Sequence, residues 1–262
     1  MDTRRILKDV EHRLYPVSKG PWVMTQAWNE LLFAHWPLKP ERLRSLIPSV
    51  LTLDTFEGEA WIGVVPFHMT QVHPRSVPSF PWLSQFPELN VRTYVSFQGV
   101  PGVYFFSLDA ANPVAVALAR KVFHLPYFNA TMRSQRMIDT IDYHSYRTHR
   151  GAPSAEFRAL YRPIAPVFYA QPGSLEHWFT ERYYLYTVAG KNVVYRGDIH
   201  HGRWPLQQAE LEVMSNTMAS SHGIQLPDTA PLLHYASLQE VLIWPLRICS
   251  VDTNTATAGL HF

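Results

Sequence analysis

The sequence contains a single cysteine, Cys249, in 262 residues. One cysteine excludes an intrachain disulfide and a thiolate metal cluster within one chain, which fits a reducing compartment. The chain also lacks a run of roughly 18 apolar residues, the length that a membrane-spanning helix requires. Residues 1–19 carry charges throughout, so they lack the continuous apolar core of a signal peptide. These absences predict a cytoplasmic protein with no membrane partner.

An excess of charge of one sign is missing as well. The 23 basic residues are nearly balanced by 21 acidic residues, which leaves a formal net charge of +2. Such a balance provides no broad field to attract nucleic acid. The sequence has no Gly-x-Gly-x-x-Gly or P-loop motif for phosphate and no Gly-x-Ser-x-Gly motif for a serine nucleophile. We expect neither a nucleic-acid partner nor a cofactor.

Glycine is scarce beside proline, with 12 glycines against 21 prolines. Because proline is excluded from helix interiors and central strands, its regular spacing divides the chain into short elements. Residues 60–69, 91–97 and 103–108 are rich in β-branched and aromatic side chains, which favours strands. The turn residues 98–102 join the last two, so we predict a hairpin there.

Helical signals are fewer. Residues 40–46 begin with proline, and residues 113–124 follow Asn112, a good capping residue. A further helix is predicted over 174–182, where a serine provides the cap. Many strands with few helices favour a mainly β fold, an antiparallel barrel or sandwich, over an alternating α/β sheet.

We predict one domain over 1–262, in which residues 1–20 form an N-terminal arm that is helical to about Tyr15. The segment 72–87 is rich in proline and aromatic residues and is too apolar for a solvated linker. It is expected to pack over the body, across a cavity mouth, or against another copy of the chain. The sequence therefore leaves open whether the protein forms a homo-oligomer.

A polar face is predicted on one strand. Strand alternation places Glu88, Asn90, Arg92 and Tyr94 on the same side. On an exposed edge this face would be ordinary surface. Facing an interior, it would be a polar lining in which Glu88 and Arg92 need each other or a ligand, because unpaired buried charge is costly. The pattern alone leaves both interpretations open.

Several short stretches, together with Arg120, share a pattern with a known family. The most extensive is Glu-Leu-Asn-Val-Arg-Thr-Tyr-Val at 88–95. The others are 33–37, 54–58, 60–67, 102–109, 125–127, 181–183 and 201–207. Over nearly its whole length the chain resembles the YqjF-like family of bacterial proteins.

That family is similar in turn to acetoacetate decarboxylase. In the decarboxylase a glutamate on a strand is followed by a hairpin, an arginine-bearing helix and the motif Gly-Tyr-Pro-Lys-Lys. The same order here is Glu88, the hairpin, Arg120 and 124–128. The resemblance implies an acetoacetate decarboxylase-like antiparallel β-barrel with an interior cavity. It places Glu88, Arg120 and Tyr127 around that cavity as catalytic candidates, and the polar face adds Arg92 and Asn90 as ligand-binding candidates.

The motif also departs from the decarboxylase. There the first lysine after the proline forms an imine with the substrate ketone. Tyr127 and Phe128 occupy the two lysine positions here, and a phenol cannot form an imine. Lys121 is the lysine nearest this segment, and a solvated helix face is predicted for it. The resemblance therefore implies a protein without the Schiff-base lysine.

Tyr127 has two interpretations. It is either a core aromatic residue whose hydroxyl finds a partner, or a cavity-lining donor for a carbonyl or carboxylate that can act as a general acid. The sequence does not choose between them.

Three further residues are ligand-binding candidates. Glu181 and Arg182 would ordinarily be a surface charge pair, but the family resemblance includes their stretch. His201 follows His200, and adjacent residues of a strand point to opposite faces, so the two do not chelate one metal. We predict no metal, and hydrogen bonding or cavity lining for His201.

Two functions are compatible with these features. The first is a barrel that binds a small molecule, a carboxylate or ketone of anionic character, and that, if it is an enzyme, performs acid/base chemistry on an organic acid. The alternative is a non-catalytic structural or regulatory accessory barrel. Charged groups around an open pocket would favour the first, and a filled aromatic core would favour the second.

Overall fold

The computed structural model describes residues 1–75, 84–190 and 193–249. Strands dominate this part of the chain, as the composition predicted. Its helices are α1 (Thr3–Lys8), α2 (Pro40–Arg44), α3 (Pro113–Phe123) and α4 (Leu175–Thr180), with a 3-10 turn at Ser220–His222. Its strands are β1 (Met24–Leu38), β2 (Thr52–Leu53), β3 (Ala60–Pro74), β4 (Phe86–Phe97), β5 (Val100–Ala110), β6 (Tyr127–Met137), β7 (Thr140–Arg147), β8 (Glu156–Pro163), β9 (Tyr184–Ala189), β10 (Val193–His201), β11 (Gln207–Asn216), β12 (Leu232–Ile243) and β13 (Arg247–Cys249).

The strand pairings close into a ring. β1, β3, β4 and β5 pair in succession and antiparallel. β5 then pairs with β9, β9 with β10, and β10 with β12, which returns to β1. A second circuit leaves β5 through β6, β7, β8 and β11 and rejoins the ring at β12. The two circuits share the strands from β5 through β4, β3 and β1 to β12. Successive side chains of β4 therefore face different interiors, with Leu89 in one and Glu88 in the other.

Two pairings differ from the predicted antiparallel sheet. β5 runs parallel to β6 and to β9. Parallel neighbours require a crossover connection rather than a tight turn. Helix α3 provides it between β5 and β6. The described sheet is therefore antiparallel in its other pairings, as predicted, and parallel at these two.

The structure contains the hairpin and the capped helix that the sequence predicted. The predicted hairpin joins β4 to β5 through Gln98 and Gly99, whose positive φ values of 50° and 76° match the tight turn that suits twisted strands. The Asn112 side chain accepts hydrogen bonds from the backbone nitrogens of Val114 and Ala115, both at 3.1 Å, and so caps α3.

The N-terminal arm and the aromatic segment are less well predicted. Helix α1 ends at Lys8, although we expected a helix to about Tyr15. The segment 72–87 contributes the end of β3 and the start of β4. The loop expected across the body falls on residues 76–83, which lie outside the described residues.

The core is divided between the two circuits. On one side of β4, Leu89 and Val91 join a buried cluster with Tyr143, Phe157 and Tyr161. This side is filled by side chains. The other side of β4 carries polar residues and faces the ring, where the candidate site lies.

Candidate functional site

A cavity of about 330 Å³ lies inside the ring. Its wall is formed by residues of β1, β3, β4, β5, β6, β9, β10 and β12 and of helices α3 and α4. Most of the lining is apolar. The principal polar side chains in it are Gln26, Glu88, Asn90, Arg92, Tyr127, Thr180, Arg182 and His201.

Strand β4 contributes the central polar row. Glu88, Asn90 and Arg92 alternate along it, and all three line the cavity with exposures of 2%, 5% and 9%. Tyr94 continues the row but packs beyond the cavity, where its hydroxyl lies 2.6 Å from Nε2 of His35. The predicted polar face thus points into an interior and not to solvent.

Glu88 and Tyr127 form a hydrogen-bonded pair. The Tyr127 hydroxyl donates to Oε2 of Glu88 at 2.9 Å. Burial raises the pKa of Glu88 to about 8, although the bond from Tyr127 opposes the shift. Burial and the neighbouring Glu88 also hold the pKa of Tyr127 well above its usual value of 10. At neutral pH both groups are therefore mainly protonated, and the pair carries little negative charge.

Arg92 has a different environment. It forms no ion pair with a carboxylate of the described chain, and its Nε is buried without a hydrogen-bond partner there. Its guanidinium lies 5.1 Å from the centre of the Phe33 ring. Asn90 Oδ1 and Trp204 Nε1 are likewise buried without partners. Buried polar atoms without partners are costly, so these three residues of the cavity lining carry unmet hydrogen-bonding capacity.

Arg182, in contrast, has a carboxylate partner. Its Nη1 donates to Oδ2 of Asp54 at 2.5 Å, and its Nε donates to the carbonyl of Trp178 at 2.7 Å. The guanidinium also lies 4.3 Å from the Trp178 ring. Its charge is therefore balanced within the protein. Glu181, the neighbouring candidate, does not line the cavity and accepts a hydrogen bond from Tyr183.

His201 lines the cavity and is neutral. Its Nδ1 lies 2.8 Å from the carbonyl oxygen of Gly202, and its ring stacks on Tyr183 at 4.8 Å. Burial lowers the pKa of His201 to about 3. The adjacent His200 turns to the opposite face, where its Nε2 lies 2.7 Å from the Ile6 carbonyl oxygen. The separation of the two rings follows from strand alternation.

Arg120 does not join the cavity, so its placement there from the family resemblance is wrong. Its side chain is exposed on α3, and Nη1 donates to the carbonyl of Tyr127 at 2.6 Å. Helical periodicity explains this position, because Ala115, Leu118 and Ala119 occupy the face that lines the cavity. Arg120 acts on the site indirectly, by holding the backbone of the residue that bonds Glu88.

Sequence reasoning missed the supports of the site. His35 is fully buried, stacks on Phe179 at 3.9 Å and orients Tyr94, while Asp54 balances Arg182. Both residues fall within stretches that carry the family resemblance. The partners of both residues are distant in the sequence, and no local pattern in either stretch indicates them. The sequence therefore does not predict a role for His35 or Asp54.

Several chemical groups are not found in the described site. No lysine is among the residues that line the cavity, and Lys121 is exposed on α3. Within residues 1–75, 84–190 and 193–249, no group of three or more His, Cys, Asp or Glu is placed to hold a metal ion. No helix in the same ranges is both long enough and apolar enough to span a bilayer.

Comparison with known sequences identifies relatives without an assigned activity. The family model described as "Uncharacterized conserved protein", DUF2071, matches residues 25–240. The chain is also 53% identical over 231 residues to "Uncharacterized protein YqjF" of Bacillus subtilis (strain 168). That match covers 88% of this chain and 94% of the relative.

Comparison with solved structures identifies the fold. The enduracididine biosynthesis enzyme MppR complexed with pyruvate superposes with a TM-score of 0.61 at 12% identity, covering 89% of this chain and 93% of MppR. Acetoacetate decarboxylase from Legionella pneumophila gives 0.58 at 12% identity, covering 94% and 95%. At these identities the likeness shows an acetoacetate decarboxylase-like fold and nothing of the chemistry.

Proposed function

We propose that this chain, which belongs to the DUF2071 family, binds a small organic anion inside a closed β-barrel of the acetoacetate decarboxylase-like kind. The observation that carries the proposal is Arg92, a buried guanidinium that lines the cavity without a carboxylate partner in the described chain. A protein that used Arg92 only for packing would be expected to pair it, because unpaired buried charge is costly.

The charges around the cavity favour a carboxylate. Arg182 is neutralised by Asp54. Glu88 is mainly protonated at neutral pH because its pKa is raised to about 8. Arg92 therefore supplies the unbalanced positive charge, and its planar fork suits a carboxylate. MppR, a protein of similar fold, was solved with pyruvate, a small carboxylate, which supports the same class of ligand.

The Glu88–Tyr127 pair suits a second group on the ligand. Glu88 and Arg92 are four residues apart on one strand, so their Cα atoms are separated by about 13 Å. A ligand with its carboxylate at Arg92 would direct a carbonyl or hydroxyl group towards the protonated pair. If the bound molecule is transformed, Glu88 and Tyr127 are the groups placed to give or take the proton.

We propose chemistry without an imine. Tyr127 stands where the decarboxylase has its reactive lysine, and the described lining has no other lysine. Treatment with acetoacetate and borohydride should leave the mass of the protein unchanged. A reduced lysine adduct recovered by peptide mapping would contradict this part of the proposal.

The direct test is calorimetry with matched ligands. Hexanoate should bind more tightly than hexanamide or hexylamine, and Arg92→Gln should weaken hexanoate binding about 10- to 100-fold, the range for hydrogen bonds to a charged group. Arg158→Gln, which removes an exposed guanidinium on β8, is the matched control and should have no effect. Equal binding of the acid and the amide would rule out the anion site.

The alternative function is a non-catalytic structural or regulatory accessory barrel. A barrel with only a structural role would be expected to be filled throughout by packed side chains, as it is in the cluster around Tyr143 and Phe157. A cavity with an unpaired arginine is a feature that this alternative does not explain. Native mass spectrometry of freshly purified protein distinguishes the two, since a co-purified organic acid would support ligand binding.

A further inference from the structure

We infer that the ligand is a monocarboxylate with a hydrophobic body of about eight carbon atoms, and not a short polar acid. This inference rests on the proposed function, because it takes Arg92 as the partner of the carboxylate. It adds what the remainder of the cavity requires of the ligand.

The part of the cavity wall formed by β1, β3 and the first residue of β4 is largely apolar. Leu31, Phe33, Phe67, Met69 and Phe86 all line the cavity, are no more than 7% exposed, and belong to one hydrophobic cluster. These side chains offer a ligand no hydrogen bonds. An apolar body fits against them, whereas a second charged or hydroxylated group placed there would lose its hydration without replacement.

The polar side chain on this side is already satisfied. Gln26 lines the cavity, but its Oε1 accepts a hydrogen bond from Nε1 of Trp28 at 2.9 Å. Among the described lining residues, the buried polar atoms without partners lie instead on Asn90, Arg92 and Trp204. The lining thus combines polar side chains on β4, among them Arg92 and Asn90, with an apolar wall on β1 and β3, and this combination suits an amphipathic molecule.

The helix beside the cavity continues the apolar surface outward. Val114 and Leu118 line the cavity and yet are 49% and 56% exposed, so they stand at its opening. Val122, one turn further along α3, is also exposed but is not part of the lining. Exposed apolar side chains that adjoin a cavity are typical of a route for a hydrophobic ligand.

The volume sets the length of the body. At roughly 30 Å³ for each water-sized group, a cavity of about 330 Å³ accommodates about eleven non-hydrogen atoms. A carboxylate uses three of them, which leaves about eight for the hydrophobic body. Octanoate and nonanoate are of this size.

The experiment is calorimetry with a homologous series of straight-chain acids, from butanoate to dodecanoate, together with octanamide. Affinity should rise about fourfold for each added methylene up to octanoate, the gain expected for burying that group. Beyond decanoate the gain should fall below twofold, because further methylenes reach the exposed opening. A flat series, or butanoate binding more tightly than octanoate, would overturn the inference.

Two variants of α3 test whether the hydrophobic part of the ligand lies in the cavity. Ala119→Phe fills space at the lining and should abolish the gain between hexanoate and octanoate. Val122→Phe, on the same helix but outside the lining, should retain the full gain. Identical chain-length profiles for the two variants would contradict the assignment. The series on the unmodified protein stands as a test even if Ala119→Phe folds poorly.

The outcomes separate this inference from the proposed function. Arg92-dependent binding of acids with no chain-length gain would refute the hydrophobic body and leave the anion site intact. Octanamide binding as tightly as octanoate, with no loss in Arg92→Gln, would refute the anion site even if affinity rises with chain length.

Discussion

Two arginines buried on opposite sides of the β4–β5 pair show how differently the two interiors are built. Arg147, in the filled interior, donates two hydrogen bonds to Asp109 at 2.8 and 2.7 Å, and both side chains are no more than 1% exposed. It also lies 4.2 Å from the Phe128 ring. Arg92, in the ring, has no such carboxylate within the described ranges.

The difference distinguishes a structural arginine from a ligand-binding one. A fully paired guanidinium has its hydrogen-bonding capacity satisfied inside the fold, so it stabilises a unique arrangement of the strands. A guanidinium that faces a cavity without a carboxylate partner retains its charge for a ligand, although Arg92 does bond the Tyr94 hydroxyl. Burial alone does not separate these roles, since both arginines are buried, and only their partners do.

The largest expected effect is on the structural side. Asp109→Asn leaves Arg147 buried without its counter-charge and should lower the free energy of unfolding by about 3–5 kcal/mol. Urea denaturation measures this. Glu210→Gln, which breaks an exposed pair with Arg162 at 2.8 Å, is the control and should cost no more than about 1 kcal/mol. If both variants lost the same free energy of unfolding, the buried Arg147–Asp109 pair would be no more important to stability than an exposed pair.

The next effect is a pH dependence that belongs to the cavity side. Because the pKa of Glu88 is raised from 4.5 to about 8 by folding, its protonated form is favoured in the folded state. Its contribution to stability is complete below pH 4.5 and is lost between pH 4.5 and 8, by about 1.4 kcal/mol per pH unit. Glu88→Gln should therefore lose less stability than the unmodified protein between pH 5 and 8.

Urea denaturation at pH 5 and at pH 8 gives the free energy of unfolding of each protein. The difference between Glu88→Gln and the unmodified protein reports the titration of Glu88, because the other titrating groups are common to both. Parallel pH profiles would show that Glu88 is ionised in the folded state. In that case Arg92 would no longer supply an unbalanced charge.

A smaller effect of opposite sign is expected at Arg92. Arg92→Met replaces a buried unpaired charge by an apolar side chain and should raise the free energy of unfolding by about 1 kcal/mol. Binding of hexanoate should be lost in the same variant. Differential scanning calorimetry without ligand measures the first result. Destabilisation of several kcal/mol would mean that Arg92, like Arg147, is structural.

The smallest effect concerns the hydroxyl of Tyr127. Tyr127→Phe removes the hydrogen bond to Glu88 and should cost about 1 kcal/mol. Because that bond holds the pKa of Glu88 down, its loss should raise the pH at which the fall in stability ends, which is about 8 in the unmodified protein. Denaturation at several pH values between 7 and 9 measures the displacement. A displacement to lower pH would contradict the assigned role of the hydroxyl.

The sequence by itself determined the mainly β composition, the β4–β5 hairpin, the capped helix α3 and the shared face of Glu88, Asn90 and Arg92. These features depend on residues close together in the chain, where alternation, turn chemistry and capping operate. The relation to YqjF was also visible in short stretches, and the 53% identity to the Bacillus subtilis protein confirms it.

Only the tertiary structure decided which charges are paired. Asp54 lies 128 positions from Arg182, and Asp109 lies 38 from Arg147, so no local pattern announces either pair. The same applies to Arg120, which the family resemblance placed at the cavity and which the packing of α3 directs outward. Partners of buried groups are chosen by which strands become neighbours in the sheet, and that is a property of the whole chain.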